Sequence, residues 1–181
     1  VSARLRAGRS VEESISSQLR FDLDLSAQRE KFEFIFELIK KGELFADKNG
    51  EVYRIFDDST YHKLRGRKSK EGYVGVKIKV HQKFVWVARR HIVLLQYAGL
   101  PPLLKTNNTM VVWTAEHINS DRSDDSPANL CWMTITNNST FKRTKKSTIN
   151  YEQKLQSLEL EGEVIKCSSY FSPHPENVIE S

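Results

Sequence analysis

The sequence predicts an α+β protein: a helical N-terminal extension, a small antiparallel sheet with a helix, and a compact strand–loop–strand–helix module. Three observations predict it. Phe32, Ile35, Phe36 and Ile39 recur at helical spacing within residues 1–41. From Glu43 onward the apolar residues instead alternate, and an Asn-Gly pair falls between two short apolar runs. Between residues 109 and 150, two short apolar strands are separated by a polar loop and followed by a helix-forming stretch. The chain accordingly divides into segments 1–41, 42–108, 109–150 and 151–181.

The helical stripe of the first segment reads as core packing, closed by Lys40, Lys41 and Gly42. Leu44 to Ala46 and Val52 to Phe56 flank Asp47-Lys48-Asn49-Gly50, a hairpin signal. Tyr73, Val74, Val76, Ile78 and Val80 form a largely alternating strand; His81, Gln82 and Lys83 turn it, and Phe84 to Val87 return. Lys63, Arg65, Arg67, Lys68 and Lys70 lie between the hairpins, and such a charge run is usually a solvated loop. Arg89 to Ala98 reads as a short helix stopped by Gly99 and Pro101-Pro102. Arg89 and Arg90 either brace its start or touch phosphate. Trp86, Trp113 and Trp132 are expected in the core.

Leu103 to Asn108 is expected as a loop, and Met110 to Trp113 as a strand leading into Glu116-His117. Asn119 to Ala128 is a polar loop and Leu130 to Met133 a second strand. Thr134 is a fair N-cap for a helix from Ile135 to about Ile149, whose outer half carries Lys142, Arg143, Lys145 and Lys146. The last segment reads as an acidic tail. There Glu159, Glu161, Glu163, Glu176 and Glu180 outnumber Lys154 and Lys166, and Pro173 and Pro175 suggest an extended end. Such a tail makes a poor nucleic-acid surface.

Bulk properties narrow the class. Of the 181 residues 39% are hydrophobic and 28% charged, a soluble globular composition. The longest apolar runs, such as Ile92 to Leu95, are too short to span a bilayer. The charge of +5 is modest, and its clustering says more than its size. Cys131 and Cys167 lack a CxxC partner, which excludes a zinc knuckle and a disulfide framework. They are expected as buried or free thiols of a reducing, intracellular compartment.

One constellation carries chemistry. Phosphodiester hydrolysis needs a water deprotonated and aimed at phosphorus, and charge neutralised on the phosphate and the leaving oxygen. Histidine suits the first task, and a hard divalent cation with oxygen ligands the second. Glu116 adjoins His117 at a strand-to-loop junction, which must bend if both serve one site. Asn129 falls back beside His117 if the two strands pair, where its amide oxygen can fix the ring tautomer. Asn138 sits in the first turns of the helix, within reach of a metal beside Glu116.

The motifs E-H-I-N at 116–119, N-L-C-W-M-T at 129–134 and the asparagine at 138 resemble the HNH branch of the ββα-metal (His-Me finger) endonucleases. The G-E-V-Y at 50–53, G-Y-V-G-V at 72–76 and R-R-H-I-V stretches resemble the sheet and helix that precede the motif there. The resemblance covers roughly residues 42 to 146. It implies a homing-type DNA endonuclease with His117 as general base, Asn129 as its orienter, and Glu116 and Asn138 as ligands of one Mg²⁺ or Mn²⁺. Double-stranded DNA is the implied partner, held by the basic clusters at 63–70 and 142–146. Two departures stand out: Glu116 replaces the usual Asp or Asn, and Ser120 replaces a common Gly. The alternatives are an HNH-like binding module that no longer cuts, or a structural subunit keeping only the scaffold. All four site positions hold side chains capable of their roles, which favours the enzyme.

Overall fold

The computed structural model describes residues 11–55, 60–80, 82–103, 105–106, 109–138 and 151–167. It divides into two units, Val1–Glu33 and Phe34–Ser181. Helix α1, Val11–Lys40, contributes to both. Its C-terminal turns bury Ile35, Leu38 and Ile39, the apolar stripe expected from the sequence. Gly42 ends it with φ 71°, donating to the Ile39 carbonyl while Glu43 donates to that of Leu38. These two bonds satisfy carbonyls that the helix end would leave open.

Three three-stranded antiparallel sheets and one two-stranded ladder follow. The first holds β1 (Leu44–Ala46), β2 (Val52–Ile55) and β3 (Tyr61–Lys63). The Asp47 carboxylate accepts from the amides of Asn49 and Glu51 at 2.9 and 2.8 Å, and Gly50 takes φ 76°, so the Asn-Gly turn forms as its chemistry demands. The second sheet holds β4 (Arg67–Lys68), β5 (Val74–Val80) and β6 (Lys83–Ala88). Val76, Ile78, Val80 and Val87 are buried. Its open face pairs Lys77 with Trp86 and Lys79 with Phe84 across the strands. Trp86 is thus not a core residue: it is 52% exposed, because its register places it opposite Lys77 and away from the valines. The basic run is not a plain loop either, since Lys63 ends β3 and Arg67 and Lys68 form β4.

Helix α2, Arg89–Tyr97, buries Ile92, Val93, Leu94 and Leu95. Its Gln96 binds the free edge of β1 as a strand would, accepting from the Ala46 amide at 2.6 Å and donating to the Ala46 carbonyl at 2.9 Å. The stretch expected as a loop contains β7 (Lys105–Thr106), paired with β8 (Thr109–Met110). A ladder two residues long leaves too little periodicity to show in sequence.

The third sheet has the order β11-β10-β9. Strand β9 is Trp113–His117 and β10 is Leu130–Thr134, antiparallel, with Leu130 opposite His117 and Cys131 opposite Glu116. Every residue of β10 is buried, with Trp132 entirely so and its indole N–H donating to the Gly99 carbonyl at 3.0 Å. Residues 135–138 are helical, following the Thr134 that was expected as a cap; residues 139–150, with Lys142, Arg143, Lys145 and Lys146, lie outside the described residues. Residues 151–167 of the segment expected as an acidic tail are instead part of the core, while Pro173 and Pro175, expected in an extended end, lie outside the described residues. Tyr151–Leu160 is a helix, α4 (residues 135–138 being α3), and Val164–Lys166 is β11, paired with β10. Leu155, Leu158 and Val164 pack on Cys131 and Met133. Glu159 and Glu161 are exposed and Glu163 is half-buried, so counting glutamates hid an amphipathic element. Among the described residues, no helix is long and apolar enough to cross a membrane.

Candidate active site

His117 is the last residue of β9, and the chain then turns into the loop at 118–129. The loop is built from side chains bonding to its own backbone. Asn119 Oδ1 accepts from the Asp121 amide, Asp121 from the amide and hydroxyl of Ser123, and Asp124 from those of Ser126. The Ser123 amide holds the Asp121 carboxyl below the usual range, and the Ser126 hydroxyl does the same for Asp124. Ser120 takes φ 71°, a left-handed conformation that explains why a glycine suits this position.

This loop folds Asp125 inward. Asp125 is 1% exposed, and its Oδ1 lies 2.8 Å from His117 Nε2. A carboxylate can only accept, so Nε2 of the neutral ring carries the proton and Nδ1 is the basic nitrogen. The other carboxylate oxygen accepts from Arg89 Nε at 2.8 Å. Arg89 in turn pairs with Glu51 at 2.8 Å and donates to the Ser123 carbonyl at 3.2 Å. Burial pulls the Arg89 pKa down, but Asp125 and Glu51 outweigh it and hold the guanidinium above its ordinary value. Arg89 thus ties the first residue of α2 to the loop through Asp125 and Ser123, and to Glu51. Gly50 touches the same loop: a Cβ there would fall on the Asp125 carbonyl oxygen.

Asn129 was expected to hold the imidazole. Its Oδ1 accepts from the Asn119 amide at 2.8 Å and its Nδ2 donates to the Asp124 carbonyl at 2.7 Å. It therefore ties together the two sides of the loop, and Asp125 is the carboxylate on the ring. Asp125 was missed in the sequence, being one of several acidic and serine residues in a polar stretch; nothing local marks it as the one that turns inward. Tyr73 was missed too: its ring lies 5.8 Å from that of His117.

Glu116 is 7% exposed and Asn138 is 6% exposed. The Asn138 Oδ1 has no hydrogen-bond partner among the described residues. A buried amide oxygen left open, together with a buried carboxylate, fits a hard divalent cation that takes few protein oxygens and keeps much of its water. Among the described residues no group of three or more His, Cys, Asp or Glu could hold a metal ion. Cys131 and Cys167 are free, and burial pushes the Cys167 thiol up to about 12.

Arg65, Arg67, Lys68 and Lys70 are exposed, while Lys63 lies 3.4 Å from Glu51. Lys68 reaches toward Arg122, since both come within 4 Å of a Cβ built on Gly72. This brings Lys68 of the expected basic run to the rim of the loop that carries Asp125.

No protein-family model matches the chain, and no curated protein does. Among solved structures it is similar to that of the HNH homing endonuclease I-HmuI, described for DNA binding and cleavage. The identity is 18% and the TM-score 0.45, over 67% of this chain and 63% of that one. The chain thus spans less than two thirds of the length of that protein.

Proposed function

We propose that this chain is a metal-dependent DNA endonuclease of the HNH kind, with His117 as the general base. The observation that carries the reading is the ion-paired Asp125 carboxylate on His117 Nε2, which leaves Nδ1 as the nitrogen able to take a proton from water. Asp125 then stabilises the imidazolium that forms, and Arg89 keeps Asp125 in place. Asn129 acts through the loop that presents Asp125. Glu116 and Asn138 hold the cation, Mg²⁺ or Mn²⁺, which when bound neutralises charge on the phosphate and the leaving 3′ oxygen.

Double-stranded DNA is the substrate. Arg65, Arg67, Lys68 and Lys70 offer phosphate contacts, each expected to contribute about 0.9 to the salt slope of binding. Phe84 and Trp86, exposed beside Lys77 and Lys79, give the second sheet an aromatic and cationic face suited to the same polyanion. Lys142, Arg143, Lys145 and Lys146 belong to the same proposed contact set.

Incubation with supercoiled plasmid and Mg²⁺ or Mn²⁺ tests this. Nicked or linear product is expected, abolished by EDTA. His117→Ala should slow cleavage by about 10²–10⁴ while DNA binding persists. Isothermal titration of metal in the presence of uncleavable DNA should show weakened binding for Glu116→Gln and Asn138→Ala. A wild-type protein that binds DNA and leaves the plasmid intact with both metals is a binding module and not a nuclease.

A further inference from the structure

Arg90 follows Arg89 in the chain but not in its bonding. Its guanidinium carbon lies 4.0 Å from the centroid of the Tyr73 ring, and that of Arg122 lies 5.0 Å from the same ring. Tyr73 in turn neighbours His117. Arg89 spends its donors on Asp125, Glu51 and Ser123. The Arg90 Nε is buried with no hydrogen-bond partner among the described residues. Arg122 uses Nη1 on the Glu71 carbonyl at 3.0 Å. Two guanidiniums therefore share one aromatic ring beside the histidine, and one keeps a buried donor unused.

Burial holds the Arg90 pKa below its ordinary value; Tyr73, Asp125 and Glu116 act to raise it and Arg122 to lower it. Glu116 and Asp125 are thus near enough to act on Arg90 through space. Like charges brought together on one ring repel, and an unused donor on a buried guanidinium is costly. An anion bound at the unused Arg90 donor relieves both.

We infer that Arg90, with Arg122 beside it, binds the phosphodiester attacked at His117. The guanidinium fork matches two phosphate oxygens, and stacking on Tyr73 holds its plane in advance. A donor already oriented where charge builds on phosphorus stabilises the transition state more than the ground state. Arg90 is then a catalytic residue, and Tyr73 a positioning residue that acts through it. This assignment rests on the nuclease reading, and it predicts contact with DNA phosphate whether or not cleavage follows.

The test uses the whole chain. Plasmid cleavage is timed under single turnover for wild type, Arg90→Met and Arg90→Lys, with thermal melting as a check of folding. Arg90→Met keeps an unbranched apolar stem and loses the charged fork that lies over Tyr73. It should cleave about 10²–10³ times more slowly, as when one transition-state donor is removed, with Arg90→Lys between it and wild type. In parallel, the Nε–H resonance of Arg90, assigned by its loss in Arg90→Lys, is followed as a DNA duplex is added to wild type. A shift that saturates with the duplex is expected. Cleavage by a folded Arg90→Met within a factor of about three of wild type, far short of the loss a removed donor causes, overturns the inference. So does an Arg90 resonance that does not move when DNA binds, which also decides the matter if Arg90→Met does not fold. If wild type cuts nothing, the nuclease reading fails alone, and the resonance still judges the phosphate contact.

Discussion

His117 shows how much one carboxylate can decide. With Asp125 on Nε2, the proton of the neutral ring is fixed on that side, and the basic lone pair is on Nδ1. Asp125→Asn keeps the volume and still offers an oxygen to Arg89 Nε. Its amide nitrogen would then face Nε2 and donate to it, forcing the opposite tautomer. Cleavage should fall by about 10²–10⁴, the scale of losing a general base, with the fold retained. Plasmid cleavage and the ¹⁵N shifts of the imidazole measure rate and tautomer together. Wild-type cleavage in a folded Asp125→Asn would show that Asp125 does not set the base. The spacing of Glu116, His117, Asn129 and Asn138 was legible because it runs along one strand pair and one helix start. Asp125 was not, because its role depends on an inward turn that Asn119, Asp121, Asp124 and Asn129 build jointly.

Among the elements, the β1–β2 hairpin has a role that its sequence signal only half conveys. Asn49-Gly50 announces a tight turn, and the turn forms. What the pattern cannot say is that Gly50 lies against the backbone of Asp125, far along the chain. Gly50→Ala should therefore cost more than a left-handed alanine alone, which is roughly 1–2 kcal/mol. It should also displace Asp125 and slow cleavage, whereas a strained turn by itself would only lower the melting temperature. Melting curves and plasmid assays on the same variant separate the two. Legibility across elements followed length. The seven-residue β5 and the α2 helix were plain in the sequence. The two-residue β7 and β8 offered no period to read. Trp86 was misplaced because an aromatic on an alternating strand looks the same whichever face is covered.

At the scale of the whole molecule, the third sheet depends on residues distant from the site. Glu163 accepts from the Thr134 hydroxyl at 2.8 Å and from Asn137 Nδ2 at 2.9 Å, gripping the start of the helix that carries Asn138. Hydrogen bonds to a charged group contribute about 1.5–3 kcal/mol each. Glu163→Ala should lower stability on that scale and weaken metal binding through Asn138, read by melting and by metal titration. Unaltered metal affinity would limit Glu163 to a structural part. The charge count concealed this, since glutamate density describes solvent exposure on average and not the one side chain that turns back. The Gly162 that closes α4, with φ 71° and the same pair of bonds that close α1 at Gly42, was the overlooked sign that a strand follows.

The place of β11 in the chain bears on how the protein comes into being. Strand β9, the loop of Asp125 and β10 all precede β11 in the chain and are synthesised before residues 164–166. Until then β10 presents an open edge of unpaired amides and carbonyls, and Thr134 and Asn137 lack the carboxylate that fastens them. The histidine, its partner and the helix start are all synthesised, yet the sheet that steadies them is unfinished. A polypeptide cut short before Glu163 holds every residue of the proposed site and cannot complete the platform beneath it. The platform under the proposed site is thus closed only once β11 has been made and has paired with β10.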